Sequence, residues 1–498
     1  MGGNEWQSSP AETSTPCDLL VVGGGTAGIV AARTARALGC SVLLVERSRT
    51  GGDCLWSGCV PSKALLAAAH AAADARRAGQ FGVHADIRID RAQVFAHVRS
   101  TIARIEPDDS PQTLRSIGID VTHGELTFTG PNSAMITGSG VGDRDDDRRL
   151  VRFRQAVIAT GSAPAFPDVP GLADVRPITT DTLWELAELP TDLLVLGGGS
   201  VGCELGQALA RLGGLVTLVE QSTSLLPAED LDAGAAVLTA LRDDGVDVRL
   251  DSGVVQIERT PAGRISAQLV DGTTVEAQDV LVATGRRSRT DLLGLAAAGV
   301  EVDDDGAVRV DDQLRTTRDH IWAAGDVTGH PRFTHVAGVH GSIAASNAVL
   351  GLHRRIDTAT VPRVTFTQPE VAAVGLPTRG ALDRRDLIVR SIAHSDVDRA
   401  VTDRQTDGMT RLVMDRRSRI VGVTIVGPRA GECLAEAVLA IRTGASVRQL
   451  AGTMHAYPTY ADGWWNATIE QAQQQLQRRP VRLVTRLLVW WNRRRNRA

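Results

Sequence analysis

The sequence predicts an α/β protein: two parallel-sheet units of one design, followed by a separate α+β domain. Three observations carry this. A strand, glycine turn, helix and strand occur in that order twice, with the second copy 174 residues after the first. Apolar strands ending in Ala-Thr-Gly recur at 157–161 and 280–285. The glycine-turn pattern then stops after about Asp357. A chain of 498 residues has room for about three domains.

In the first copy, 18–22 (DLLVV) reads as a buried strand. Gly23-Gly24-Gly25-Thr26-Ala27-Gly28 follows, then an Ala-rich helix to about Leu38 and a strand at 41–45 that ends at Glu46. The second copy runs from a strand at 193–196 through Gly197-Gly198-Gly199-Ser200-Val201-Gly202. Its helix reaches about Leu212, and its strand at 216–220 ends at Glu220. Gly23 and Gly197 make the tight turn, and Gly25 and Gly199 let backbone approach a pyrophosphate. Gly28 and Gly202 let helix pack on strand, and the helix N-terminus faces the phosphates. Glu46 and Glu220 are placed to accept hydrogen bonds from ribose hydroxyls. Both units read as Rossmann-like dinucleotide sites. Beyond them, 320–326 is a strand leading to Asp326. Strands at 361–366 and 420–426 alternate with an Ala-rich helix near 433–441, the expected α+β domain. The charge-dense segment 143–149 reads as a solvated loop.

Composition narrows the class. A net charge of −4 gives no overall pull toward nucleic acid. No run reaches the ~18 apolar residues of a membrane span, and the polar stretch 1–16 shows no secretory signal. Six cysteines without C-x-x-C spacing make neither a disulfide scaffold nor a zinc site. The expectation is a cytoplasmic protein without a structural metal. Of the 54 basic residues only Lys63 is lysine, and the two tyrosines are Tyr457 and Tyr460. Lysine is a compact point charge and arginine a planar fork, so a tight site can require the ammonium.

The segment 51–63, GGDCLWSGCVPSK, follows Glu46 closely. Cys54 and Cys59 can bridge across one helical turn if the backbone bends. So short a loop adds little stability, which favours a redox role for the bond. This motif resembles that of the pyridine nucleotide–disulfide oxidoreductases, which include dihydrolipoamide dehydrogenase, glutathione reductase and mercuric reductase. The resemblance covers Asp18 to about Glu470. It implies an FAD-binding domain at 17–186 and 287–356, an NAD-binding domain at 187–286 and a dimerisation domain at 357–470. It assigns FAD to the first glycine turn, with Gly124, Thr160, Gly161, Ser162, Asp326, Phe333 and His335 also at the flavin. NAD goes to the second turn, with Gly285. Lys63 matches the lysine beside the flavin ring, and Glu204 its carboxylate partner. Cys59 corresponds to the thiol nearer the flavin and Cys54 to the interchange thiol exposed to substrate. Glu220, followed by Gln221-Ser222-Thr223-Ser224-Leu225 without arginine, points to NADH rather than NADPH. The implied activity passes electrons from NADH through FAD and Cys54–Cys59 to a small acceptor.

The pattern departs from the dithiol-handling relatives near the C-terminus. They carry a catalytic histidine where this chain has Tyr457, and a glutamate where it has Asp462. A phenol is a poor base at neutral pH. His455 lies two residues away as a candidate substitute. Tyrosine at this position resembles mercuric reductases, so the acceptors to weigh are Hg(II), a small disulfide or, directly from flavin, a quinone. Ser200 stands where some relatives carry an aromatic lid. A homodimer is expected, because the Tyr457 segment should complete the partner's site. Finally, 471–498 holds eight arginines and no acid. Val481, Val484, Leu488 and Trp491 share one helical stripe, so 481–495 has the pattern of a peripheral membrane contact.

Overall fold

The computed structural model describes residues 11–12, 16–138, 148–379, 381, 384–477 and 479–496. Most of the polar start at 1–16 lies outside these residues, as does 143–147 of the charge-dense segment. The last two residues of that segment, Arg148 and Arg149, are not loop: they begin the strand Arg148–Ile158. The described chain forms two compact units.

The first unit comprises 1–197, 212–214 and 254–356. Its main sheet places Cys17–Val22 between Val42–Glu46 and Arg148–Ile158, all parallel, with Leu20 opposite Leu43 and Ala156. Asp120–His123 extends one side, and Ile321–Ala323 runs parallel to Arg148–Ile158. These strands are near-continuous apolar runs because helices cover a parallel sheet. The helix Thr26–Ala37 buries Ala27, Ile29, Ala31, Ala32 and Ala35. Small side chains let it approach the helix Thr334–Leu350 closely: a Cβ at Gly341 would lie 2.2 Å from the Ala27 carbonyl oxygen. Asp192–Leu196 pairs in parallel with Asp279–Val282. Ser162–Pro164 pairs antiparallel with Arg286–Ser288.

The second unit comprises 198–211, 215–253 and 357–498. The helix Ser200–Arg211 buries Arg211, whose Nε donates to Asp244 Oδ2 at 2.8 Å and Nη1 to Gln368 Oε1 at 2.7 Å. Leu215–Val219 pairs in parallel with Asp247–Arg249. The rest is the expected α+β part. Its five-stranded sheet runs Arg363–Thr365, Glu370–Gly375, Ile420–Gly427, Met409–Asp415, Leu387–Ala393, and the helices Ala430–Thr443 and Asp462–Leu476 share its core. Trp464, Ala467, Thr468 and Gln471 are buried along the second helix at the spacing of one helical face. In the same unit, His394 is fully buried. Its Nε2 meets Thr410 Oγ1 at 3.1 Å, and its Nδ1 has no hydrogen-bond partner. Burial pushes its pKa from 6.5 down to about 4.

Two outcomes follow. Gly341→Ala should cost about 1–3 kcal/mol of stability in urea unfolding, because two helix backbones must separate. Gly338→Ala, whose Cβ would meet only Thr26 Cγ2 at 3.8 Å, should be tolerated. The lowered His394 pKa means that between pH 6.5 and 4 the unfolded chain binds a proton the folded chain refuses. Stability should therefore fall as pH drops through that window, by up to about 3 kcal/mol from this group. His394→Gln should flatten the dependence of the urea midpoint on pH.

Candidate functional site

The cysteine segment is two helices rather than one. Gly52–Trp56 carries Cys54, the chain turns at Ser57-Gly58, and Cys59 opens the helix Cys59–Arg77. That turn is the bend that lets residues five apart face each other. Both sulfurs are free thiols here, joined by a hydrogen bond between their side chains. Cys59 Sγ also lies 3.3 Å from Thr334 Oγ1. Thr334 is the first residue of its own helix, as Cys59 is of its helix, so two positive helix ends meet at the pair. The hydrogen bond to Cys59, then burial, push the Cys54 thiol well above its ordinary range, and the Thr334 hydroxyl opposes them. Cys54 is therefore the thiol that the pair and its burial hold in the protonated form. Of the two, Cys59 is exposed and Cys54 half-buried, the reverse of the exposure expected from the sequence. Lys63, one turn after Cys59, shares its helix face.

A chain of polar groups fixes this loop. Asp326 Oδ2 accepts from Ser162 Oγ at 2.7 Å, and Ser162 Oγ accepts from Arg286 Nε at 2.7 Å. Arg286 also binds the carboxylate of Asp53, the residue before Cys54. Arg289 bridges Asp53 at 3.6 Å and Asp181 at 3.1 Å. Burial raises the Asp53 pKa, while Arg286 and Arg289 hold it down. Thr160 Oγ1 donates to the Arg289 carbonyl at 2.7 Å, which adds a third expected residue to the network. Trp184 Nε1 donates to the Ser57 carbonyl at 3.0 Å and pins the bend. Phe333 and His335 stack on each other at 5.2 Å, and it is Thr334 between them that reaches the thiols.

The two glycine turns repeat one geometry. Gly24 N donates to Glu46 Oε2 at 2.6 Å and Ser48 N to Glu46 Oε1 at 2.7 Å. In the second unit, Gly198 N and Ser222 N bind Glu220 at the same two distances. Gly124 N donates to the Glu46 carbonyl at 2.9 Å and closes the far side of the first turn. Glu204 is buried, and its Oε1 accepts from Phe366 N at 2.9 Å. Ser200 Oγ bonds Thr365 Oγ1 at 2.7 Å.

At the C-terminal segment the expected residues do not act together. His455 Nδ1 binds the Thr453 carbonyl at 2.9 Å, and Nε2 lies 3.0 Å from both oxygens of Glu436. Its ring stacks on Trp465, and Trp464 Nε1 also donates to Glu436 at 3.1 Å. Tyr457 is exposed, and its hydroxyl donates to Asp398. That carboxylate pushes the phenol above its ordinary range. Asp462 is buried and accepts from Thr459 N at 3.0 Å, so it caps the turn.

Residues 17–341 match the family model for pyridine nucleotide-disulphide oxidoreductases, and 361–468 match the dimerisation domain of the same family. The chain belongs to this family. It is 38% identical over 460 residues to a mercuric reductase of Streptomyces lividans, covering 91% of this chain and 95% of that one. It is 34% identical over 472 residues to a dihydrolipoyl dehydrogenase of Halobacterium salinarum, covering 93% and 97%. Among solved structures, LpdA from Mycobacterium tuberculosis superposes with a TM-score of 0.83 at 28% identity, covering 91% and 99%. The Cu(II) complex of the HOCl-induced flavoprotein disulfide reductase RclA from Escherichia coli gives 0.81 at 26%, covering 91% and 99%. Pyridine nucleotide-disulphide oxidoreductases use FAD and NAD(P)H, and the dimerisation domain makes the homodimer their working unit.

The residues fit those cofactors. In the first turn, a Cβ at Gly25 would meet only Gly52 Cα, at 3.8 Å, and one at Gly161 would meet nothing within 4 Å. These gaps leave a backbone-lined cradle. Glu46 spends one acceptor site of each oxygen on its own loop, and a carboxylate oxygen has a further site with which it could accept from a ribose hydroxyl. Gly199 in the second turn is equally open. Sequence reasoning missed Asp53, Arg286, Arg289, Glu436 and Asp398. An acid inside the cysteine motif and an arginine cluster directly after Ala-Thr-Gly were signals for the first three. Glu436 and Asp398 lie 19 and 59 residues from their partners and left none. Asp53→Ala should leave Arg286 without its carboxylate and Arg289 with Asp181 alone, and cost about 1–2 kcal/mol in urea unfolding of the cofactor-free protein. An unchanged midpoint would mean the network does not brace the loop.

Proposed function

We propose that this chain passes electrons from NADH through FAD to Cys54–Cys59 and on to a soft, thiolate-binding metal ion of the Hg(II) kind. The observation that carries the choice of acceptor is the C-terminal segment. Reducing a small disulfide needs a group free to move a proton to and from the leaving thiol, and among the described residues the two candidates of that segment are both engaged. His455 has both ring nitrogens engaged, and Tyr457 is tied to Asp398. A metal ion needs thiolate ligands and electrons, with no proton for a leaving group. Mercuric reductases among the relatives support this reading.

FAD, when bound, supplies the two-electron relay between nicotinamide and the sulfur pair. The chain supplies the rest. Gly23, Gly25 and Gly28 receive the FAD pyrophosphate and Glu46 its ribose; Ser162 and Asp326 line the flavin side. Cys59, exposed on a helix N-terminus, would be the thiol next to the flavin. Cys54 is the interchange thiol. Lys63, on the Cys59 face, places an ammonium where negative charge develops. Gly197, Gly199, Gly202 and Gly285 receive the nicotinamide nucleotide. Glu220 favours NADH, since a 2′-phosphate would face a carboxylate, and the nearby Arg249 is paired with Asp247 at 3.0 Å. The domains follow the family's division: 17–186 with 287–356 for FAD, 187–286 for NAD and 357–470 for dimerisation. The terminal helix Arg479–Arg495 adds peripheral membrane contact through 481–495; no helix among the described residues is long and apolar enough to cross a membrane.

The test is NADH oxidation by the FAD-loaded dimer with Hg(II)–thiol complexes or lipoamide as acceptor. Lipoamide turnover should lie about 10²–10⁴-fold below that of an enzyme with a working base. Hg(II) turnover should be robust and collapse in both Cys54→Ser and Cys59→Ser. Tyr457→Phe should leave the pH profile between 6 and 9 unchanged, because the raised phenol does not titrate there. Vigorous lipoamide turnover, or Hg(II) turnover that survives both serine variants, would overturn the proposal.

A further inference from the structure

The helix Arg479–Arg495 lies beyond the match to the dimerisation domain, which ends at residue 468. None of its described side chains is buried. Leu483, Val484, Leu487, Leu488, Trp490 and Trp491 are 51–66% exposed, an unusual amount of apolar surface for one short element. At 3.6 residues per turn these six occupy about half the circumference. Arg479, Arg482, Arg486 and Arg493 occupy the opposite arc. At the C-terminal end, the Arg494 guanidinium lies 3.9 Å from the Trp490 ring centre and that of Arg495 5.6 Å from the Trp491 ring centre.

We propose that this helix lies in the plane of a bilayer carrying anionic headgroups, with its apolar half immersed at the headgroup–acyl boundary and its arginines at the lipid phosphates. This rests on the membrane-contact reading above and names the lipid class. Charge decides the occupant. The segment 471–498 has eight arginines and no acid, so a second copy of the helix would set cation against cation. A nucleic-acid backbone would match the arginines and leave the leucines and tryptophans in water. An anionic bilayer satisfies both faces at once. Tryptophan favours the membrane–water boundary, and arginine stacked on it keeps its charge at headgroup level.

The experiment is sedimentation of the FAD-loaded, full-length dimer with sucrose-loaded vesicles, of phosphatidylcholine alone or mixed with phosphatidylglycerol. Binding should require phosphatidylglycerol and weaken as salt rises. The Arg482→Gln/Arg486→Gln/Arg493→Gln variant should bind about 10-fold more weakly or worse. The Leu487→Asp/Trp490→Asp variant should not bind, while both keep normal NADH oxidation as evidence of an intact dimer. Equal binding to both vesicle types would overturn the anionic-headgroup assignment and leave membrane contact standing. No binding to either would overturn both, as would preferential binding to a DNA duplex at the same salt. Binding unaffected by both variants would place the contact elsewhere and overturn the role of this helix.

Discussion

The site depends first on the approach of two backbones. A Cβ on Gly52 would sit 2.6 Å from Gly25 Cα, so the first glycine turn and the start of the Cys54 helix touch with no side chain between them. That contact sets the cysteine loop against the first glycine turn, and Gly52 cannot be exchanged without moving one of them, whereas a Cβ on Gly25 would meet Gly52 Cα at an ordinary 3.8 Å. The rest of the site elaborates on it. Trp184 pins the bend at Ser57, and the Asp53–Arg286–Ser162–Asp326 chain anchors the loop from its other end.

Electrostatics then sorts the two sulfurs. Chemically identical thiols differ because Cys59 and Thr334 each open a helix, while Cys54 is half-buried and donates toward Cys59. Burial with the shared hydrogen bond holds the proton on Cys54, while Cys59 sits where two positive helix ends meet. The C-terminal segment uses charge in the opposite way. Here carboxylates hold the two candidate groups, Glu436 on the His455 ring and Asp398 on the Tyr457 hydroxyl.

Much of this was legible in the sequence because it is local. The doubled glycine turn, its closing glutamates and the cysteine motif each fit within about fifty residues, and each imposes a backbone geometry that other residues cannot supply. The bend at Ser57-Gly58 was implicit in the five-residue spacing. The long-range partners were not legible. Arg286 is 233 residues from Asp53, and only the pairing of Ser162–Pro164 with Arg286–Ser288 brings them together. The relative exposure of the two cysteines, Cys59 exposed and Cys54 half-buried, was not legible either. The strand at Arg148 was missed because arginine-rich edges read as loop, although the strand beyond is apolar.

The central claim is that Cys54 and Cys59 exchange electrons with bound FAD. An anaerobic titration of the FAD-loaded protein with NADH, followed by visible absorbance, tests it most directly. The account predicts about two equivalents of NADH per flavin for full reduction, with a long-wavelength thiolate–flavin band midway. Complete bleaching with about one equivalent and no such band would contradict it, leaving the sulfur pair outside the electron path.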